Sequence, residues 1–132
     1  MGASDAARRE AEDDLLRAAF AALEMAWTPP GARASGAALL TAEGEVYGGC
    51  GVGQPDPEVA VCAEAAALAR ALAAGERSFV GLAVAGESAQ LPCARCGALL
   101  AQFEGAPWVV AAGLDGERRR TTLAALRAGG AD

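Results

Sequence analysis

Val61-Cys62-Ala63-Glu64-Ala65, followed one apolar segment later by Pro92-Cys93-Ala94-Arg95-Cys96, decides how the rest of this chain is read. The first stretch sets a thiol and a carboxylate two residues apart, where an alanine-rich helical pattern begins. The second holds two cysteines at C-x-x-C spacing behind a proline. A helix that opens on such a pair can aim both sulfurs at one point, and its free N–H groups and dipole favour thiolates. If the two helix starts converge, Cys62, Cys93 and Cys96 can hold one Zn2+ ion. A fourth position then stays open for water, whose pKa falls to roughly 7. Glu64 would stand beside that water rather than on the metal, as a carrier of protons.

Two other readings use the same residues. A lone C-x-x-C suits a redox pair, although such a pair calls for neither C-A-E upstream nor a proline before its first cysteine. A closed structural zinc site needs four ligands, and the chain has four cysteines, with Cys50 as the remaining one. Cys50 also ends an apolar segment, where it can serve as a small buried hydrophobe.

Composition narrows the chemistry further. The chain contains no histidine, which excludes Ser-His and Cys-His catalytic pairs and limits any zinc site to cysteine and carboxylate ligands. The net charge of −6 argues against a polynucleotide partner, because phosphate neutralisation needs clustered lysine and arginine. The basic run Arg118-Arg119-Arg120 reads as a solvated strand or turn. With 132 residues, 53% of them hydrophobic, the expectation is one domain over residues 1–132 with apolar surface to spare for self-association. No apolar stretch is long enough to span a membrane, and the polar, acidic N-terminus lacks the layout of a secretory signal. The expectation is a cytoplasmic protein with reduced thiols.

Periodicity supplies the elements. Met1 to Ser4 reads as a frayed start. Asp5 to Trp27 is helical, with Leu16, Phe20, Leu23 and Trp27 on one face, and Thr28-Pro29-Pro30-Gly31 stops it. Ala34–Thr41 and Glu45–Cys50 form a hairpin about Glu43-Gly44. Gly48 to Pro57 is a loop whose glycines fail the G-x-G-x-x-G spacing and precede no G-K-[ST]. They are read as letting backbone pass close to a neighbour. A helix over Glu58–Ala74 is expected to carry Cys62 and Glu64 in its first turns. Then come a strand at Phe79–Val84, a helix at Cys93–Phe103, strands at Trp108–Ala112 and Arg118–Thr121, a helix at Thr122–Ala128 and a frayed end. A hairpin followed by alternating helix and strand predicts an α/β protein, a three-layer α/β/α sandwich with a mixed five-stranded sheet.

C-A-E followed by P-C-x-x-C is also the zinc deaminase signature with Cys in place of the first His. Together with G-A-A-L-L-T-x-x-G-x-V-Y-x-G-C over Gly36 to Cys50, these motifs stand in the order found in the cytidine deaminase family, blasticidin S deaminases included. The chain resembles that family from about Trp27 to Phe103. The resemblance implies zinc on Cys62, Cys93 and Cys96, Glu64 as proton shuttle, and base contacts from the Ala63 N–H and the Leu91 carbonyl. It implies no ligand role for Cys50. It also implies a small aminopyrimidine nucleoside as substrate and a homo-oligomer, tetramer or dimer, with sites completed by neighbours.

The departures concern the substrate. Nucleoside deaminases carry N-V-E after the cysteine ending the second strand, where Asn and Glu hold the ribose hydroxyls. Here the run is Gly51-Val52-Gly53, with Gln54 and Asp56 the nearest polar replacements. A pocket without its polar partners discriminates less, by up to about 10⁴. A free aminopurine, pterin or triazine base therefore stands as an alternative substrate class. Arg33 stands where the family has an aromatic beside the base, and the C-terminal aromatic is absent. Relatives often place Arg directly after C-A-E to offset the thiolate charge. Here Ala65 follows, and Arg95 lies inside P-C-x-R-C, as in blasticidin S deaminases.

Overall fold

Alternation along the central strands sends their side chains into two separate cores. In the computed structural model, which describes the backbone of residues 2–129 and side chains from Asp5 onward, helix α1 (Gly2–Leu23) precedes a hairpin of β1 (Ser35–Thr41) and β2 (Val46–Cys50). There follow α2 (Ala63–Ala73), β3 (Phe79–Gly86), α3 (Ala94–Leu100), β4 (Trp108–Gly113), β5 (Arg118–Thr122) and α4 (Leu123–Arg127). Of the frayed ends expected at Met1–Ser4 and Gly129–Asp132, Met1 and Gly130–Asp132 lie outside the described residues, as do the side chains of residues 2–4, whereas the backbone of Gly2–Ser4 is already helical in α1.

The five strands are ordered β2-β1-β3-β4-β5. β3 and β4 run parallel, and every other neighbouring pair is antiparallel, so the sheet is mixed as expected. Ala37, Leu39, Leu82, Val84, Val109 and Ala111 face α2, α3 and α4 and pack with Ala67, Leu68 and Leu100. The intervening Ala38, Ala83, Ala85, Val110 and Ala112 face α1 and pack with Leu15, Leu16 and Ala19. This period of two with both faces covered is what a three-layer sandwich requires. The helices lie very close to the sheet. A Cβ on Gly36 would meet the α1 backbone at Ala19 and Leu23, and one on Gly49 would meet the α2 backbone at Ala67. Gly48 and Gly49, expected at the start of the loop, thus belong to β2, where Gly49 lets the α2 backbone pass close.

Several element boundaries differ from expectation, and three of the shifts have a visible cause. α1 ends at Leu23, and Trp27, expected on its buried face, is 59% exposed. Pro29 disfavours helix at Thr28, and the last turn tightens through bonds from Met25 N–H to Ala22 and from Ala26 N–H to Leu23. Trp27 instead continues as extended chain beside Val52. α2 begins at Ala63 rather than Glu58, because Val61 and Val52 exchange both backbone hydrogen bonds at 2.9 Å. α3 is confined to Ala94–Leu100, and Phe103 leaves it to pack edge-on to Phe79 with ring centroids 6.0 Å apart.

The arginine run forms strand β5, with Arg118 and Arg120 exposed as expected, and it is also ion-paired. Arg118 meets Asp13 at 2.9 Å, and Arg120 Nε meets the buried Glu12 carboxylate at 2.7 Å. Arg8 approaches the same carboxylate at 4.0 Å and lies 5.2 Å from the Trp108 ring centroid. These contacts tie α1 to the far edge of the sheet. Among the described residues, no helix is long and apolar enough to cross a membrane.

A parallel pair needs a crossover, and the β3–β4 crossover carries α3. It leaves the sheet at Gly86, where β3 ends beside the start of β1 (Ser35 opposite Gly86). The carboxyl end of a parallel strand is where open α/β sheets place their ligands.

Candidate metal centre and active site

Two helix starts face each other at that end of the sheet. Cys62 is the cap residue before α2, in extended conformation (φ −71°, ψ 141°), and Cys93 holds the same position before α3 (φ −71°, ψ 167°). Neither sulfur caps its helix, so both are free to turn toward a common point. Cys96 enters from the first turn of α3 and is buried. The three Sγ atoms lie within 4.8 Å of one another, with Cys62 and Cys93 4.0 Å apart. Tetrahedral zinc with Zn–S bonds of about 2.3 Å sets its sulfurs about 3.8 Å apart, so the donor set fits the ion in number, chemistry and spacing.

Cys50 is not part of this group. It lies at the end of β2, in a separate depression beside Ala66 and Arg70. Among the described residues, the closed four-cysteine site does not form. Cys50 stands at the end of β2 opposite Gly36, outside the sulfur group, and the open three-sulfur arrangement is the one the fold builds.

Glu64 is the second residue of α2, 8% exposed, and it lines a cavity of about 230 Å³ together with Cys62 and Cys93. Burial pushes its carboxyl above the ordinary carboxylate range, against a smaller opposing pull from its own backbone N–H. The thiols respond unequally. Burial pushes Cys96 up, with the Glu64 charge and the neighbouring sulfurs adding to it. Burial also acts upward on Cys93, but hydrogen bonds from the Cys96 N–H, from the neighbouring sulfurs and from the Arg95 N–H carry it below its ordinary value. Arg95 Nη2 stands 3.8 Å from Cys62 Sγ as donor.

The remaining predicted residues separate into two groups. Leu91 lines the inner cavity, Gly53 and Gln54 line an adjoining outer cavity of about 680 Å³, and Arg33 lines both. Gly51 and Ala63 are buried and line neither. Ala63 does place its N–H in the unpaired first turn of α2, beside Cys62. Asp56 accepts a hydrogen bond from the Glu58 N–H at 3.0 Å within its own loop and lines neither cavity. Ser35, Glu87, Ser88 and Gln90 line the inner cavity without having been singled out in the sequence. Their one signal is the polar run Glu87-Ser88-Ala89-Gln90 between a small-residue strand end and Pro92.

Fold and site together define a class: an α/β/α zinc deaminase domain with a three-thiolate metal centre and a buried carboxylate alongside. The chain belongs to the cytidine and deoxycytidylate deaminase family. The model of that family's zinc-binding region matches residues 9–112. A cytidine deaminase of Sporosarcina psychrophila is 34% identical over 120 residues, 89% of this chain and 88% of its own length. The crystal structure of cytidine deaminase from Burkholderia pseudomallei is similar with a TM-score of 0.78 and 36% identity, covering 86% of this chain and 94% of that one. Cytidine deaminase from Mycobacterium tuberculosis follows with a TM-score of 0.71 and 28% identity, covering 86% and 91%. The protein is therefore a zinc-dependent hydrolytic deaminase.

Proposed function

We propose that this protein deaminates a cytosine nucleoside or a cytosine-like nucleoside, releasing ammonia. The observation that carries the reading is the convergence of the Cys62, Cys93 and Cys96 sulfurs within 4.8 Å of one another, with Cys62, Cys93 and the buried Glu64 lining one cavity. Zinc bound to the three sulfurs supplies Lewis acidity that makes water a nucleophile near neutral pH. Glu64 takes a proton from the attacking water and delivers it to the ring nitrogen beside the amino-bearing carbon. As the C–O bond forms and the C–N bond breaks, Glu64 passes the second proton to the departing amine. Ammonia leaves and a carbonyl remains. A carboxyl raised by burial suits both halves of this exchange. The Ala63 N–H donates to the ring carbonyl, and the Leu91 carbonyl accepts from the amino group.

The test is ammonia release from cytidine, deoxycytidine, blasticidin S and several free bases by zinc-loaded protein and by Glu64→Gln. Release that requires Glu64 supports the reading and names the substrate. Silence across the panel would sink it. Gly51 and Gly53, which offer no side chain to a ribose, favour a second reading in which a free aminopurine, pterin or triazine base is the substrate. Faster turnover of cytidine than of any free base excludes that reading.

Arg95 is read as a positioning residue that offsets thiolate charge at Cys62, supported by their 3.8 Å contact. Because Arg95 is exposed, Arg95→Ala is expected to lower kcat only about two- to fivefold with zinc retained. An unchanged rate at unchanged zinc occupancy removes the role.

The chain is further read as a cytoplasmic homo-oligomer, a tetramer or dimer. Met25 (75% exposed), Trp27 (59%), Val59 (61%) and Val61 (44%) support this, since they are apolar side chains left on the surface, with Val61 on the outer cavity and Met25 on the depression beside Cys50. Sedimentation as a monomer would contradict it.

A further inference from the structure

Two arginines border the active-site cavities, and only one is committed. Arg95 is turned to Cys62, whereas Arg33, exposed at the lip shared by the inner and outer cavities, makes no hydrogen bond or ion pair with any described residue. Ser35 lies two residues further on and borders the same two cavities, as residues on one face of an extended segment do. The Gly51 N–H holds the Ser35 carbonyl at 2.9 Å. A Cβ on Gly51 would run into the Ser35 hydroxyl oxygen. The glycine that removes the ribose-holding side chain therefore also makes room for a hydroxyl next to a free guanidinium.

We propose that Arg33 and Ser35 determine specificity by binding a carboxylate carried on the ring-nitrogen substituent of the aminopyrimidine. A guanidinium fork and a hydroxyl together supply donors to both oxygens of such a group. The placement follows from the site. Arg33 and Ser35 line the inner cavity together with Glu64, Cys62 and Cys93, so a ring held at the sulfurs and Glu64 has both residues in the same cavity for its substituent. Charge selects carboxylate over phosphate. Glu64 and Glu87 border the inner cavity and Glu58 the outer one, so a dianion would face three carboxyl groups with one uncommitted cation. A monoanion is matched by Arg33 alone. This inference rests on the deaminase reading for the ring, and adds what the rest of the substrate carries.

The test compares 1-(carboxymethyl)cytosine, its neutral carbamoylmethyl counterpart and the phosphonomethyl analogue. Two readouts are taken with zinc-loaded protein: KM and kcat from ammonia release, and Kd by calorimetry on Glu64→Gln, which needs no turnover. The acid is expected to show a KM and Kd at least about tenfold below the amide. Arg33→Gln, in either background, is expected to bring that ratio to about one. Ser35→Ala is expected to reduce it, and Arg33→Lys to keep part of it. Equal affinity for acid and amide, survival of the preference in Arg33→Gln, or tighter binding of the phosphonate would each overturn the proposal. A Kd preference that depends on Arg33, with no ammonia from any compound, would sustain the carboxylate site while sinking the deaminase reading.

Discussion

Glu64→Gln lowers kcat by a factor on the order of 10²–10⁴, with zinc content and fold unchanged. Glutamine keeps the shape of the side chain at a position that is 8% exposed, so packing around the start of α2 is preserved. What disappears is the ability to take a proton and return it. The carboxyl is held above its ordinary range chiefly by burial, a setting that favours exchange in both directions and that an amide cannot reproduce. Zinc stays because the ligands are the three sulfurs, and Glu64 is not needed to complete the set. The effect therefore falls on kcat rather than on metal affinity. Steady-state ammonia release, paired with zinc content measured on the same preparation, checks it. A rate within a factor of two of the wild type would remove Glu64 from the reaction. A rate that fell only in proportion to lost zinc would make it a structural support of the centre.

Cys96→Ala abolishes both metal and activity, whereas Cys50→Ala leaves both intact. Apparent binding free energies for four-ligand zinc sites are about 10–16 kcal/mol, so one ligand carries on the order of 3 kcal/mol, more than about 100-fold in affinity. Cys96 is buried in the first turn of α3, and no other described Cys, His, Asp or Glu joins its group to replace it. Cys50 provides the contrast because it lies at the end of β2, in a depression beside Ala66 and Arg70, and is not part of the three-sulfur group. Zinc titration of the two variants separates the open centre from a closed one. Stoichiometric zinc in Cys96→Ala, or zinc lost from Cys50→Ala, would contradict the three-sulfur assignment.

Much of this architecture was legible from local pattern. The continuous apolar runs within Ala34–Thr41 and Phe79–Val84 mark strands with both faces covered, and the spacing C-A-E … P-C-x-x-C marks two helix starts that supply sulfurs. Boundaries were less legible where a distant partner intervenes. Glu58–Val61 has the composition of a helix start, yet Val61 is drawn into backbone pairing with Val52, and the helix waits until Ala63. Trp27 has the right spacing for a buried helical face. Its helix has already ended ahead of Pro29, and the ring stays exposed. The arginine run on β5 stays exposed, and its ion pairs exist only because α1 brings Asp13 and Glu12 across the sheet.

By itself the sequence determined the layered α/β class, the three sulfurs and the carboxylate, because each depends on spacing within a few residues and on the chemistry of single side chains. Tertiary structure alone decided that Cys50 stands apart, that Glu64 is buried, and that Arg33, Ser35, Glu87 and Gln90 border one cavity with it. That cavity is assembled from segments far apart in the chain, joined where the parallel β3–β4 crossover leaves the sheet beside the start of β1. Local periodicity records which face of an element is buried. It does not record which other element will cover that face, and a site built between elements exists only once they are packed.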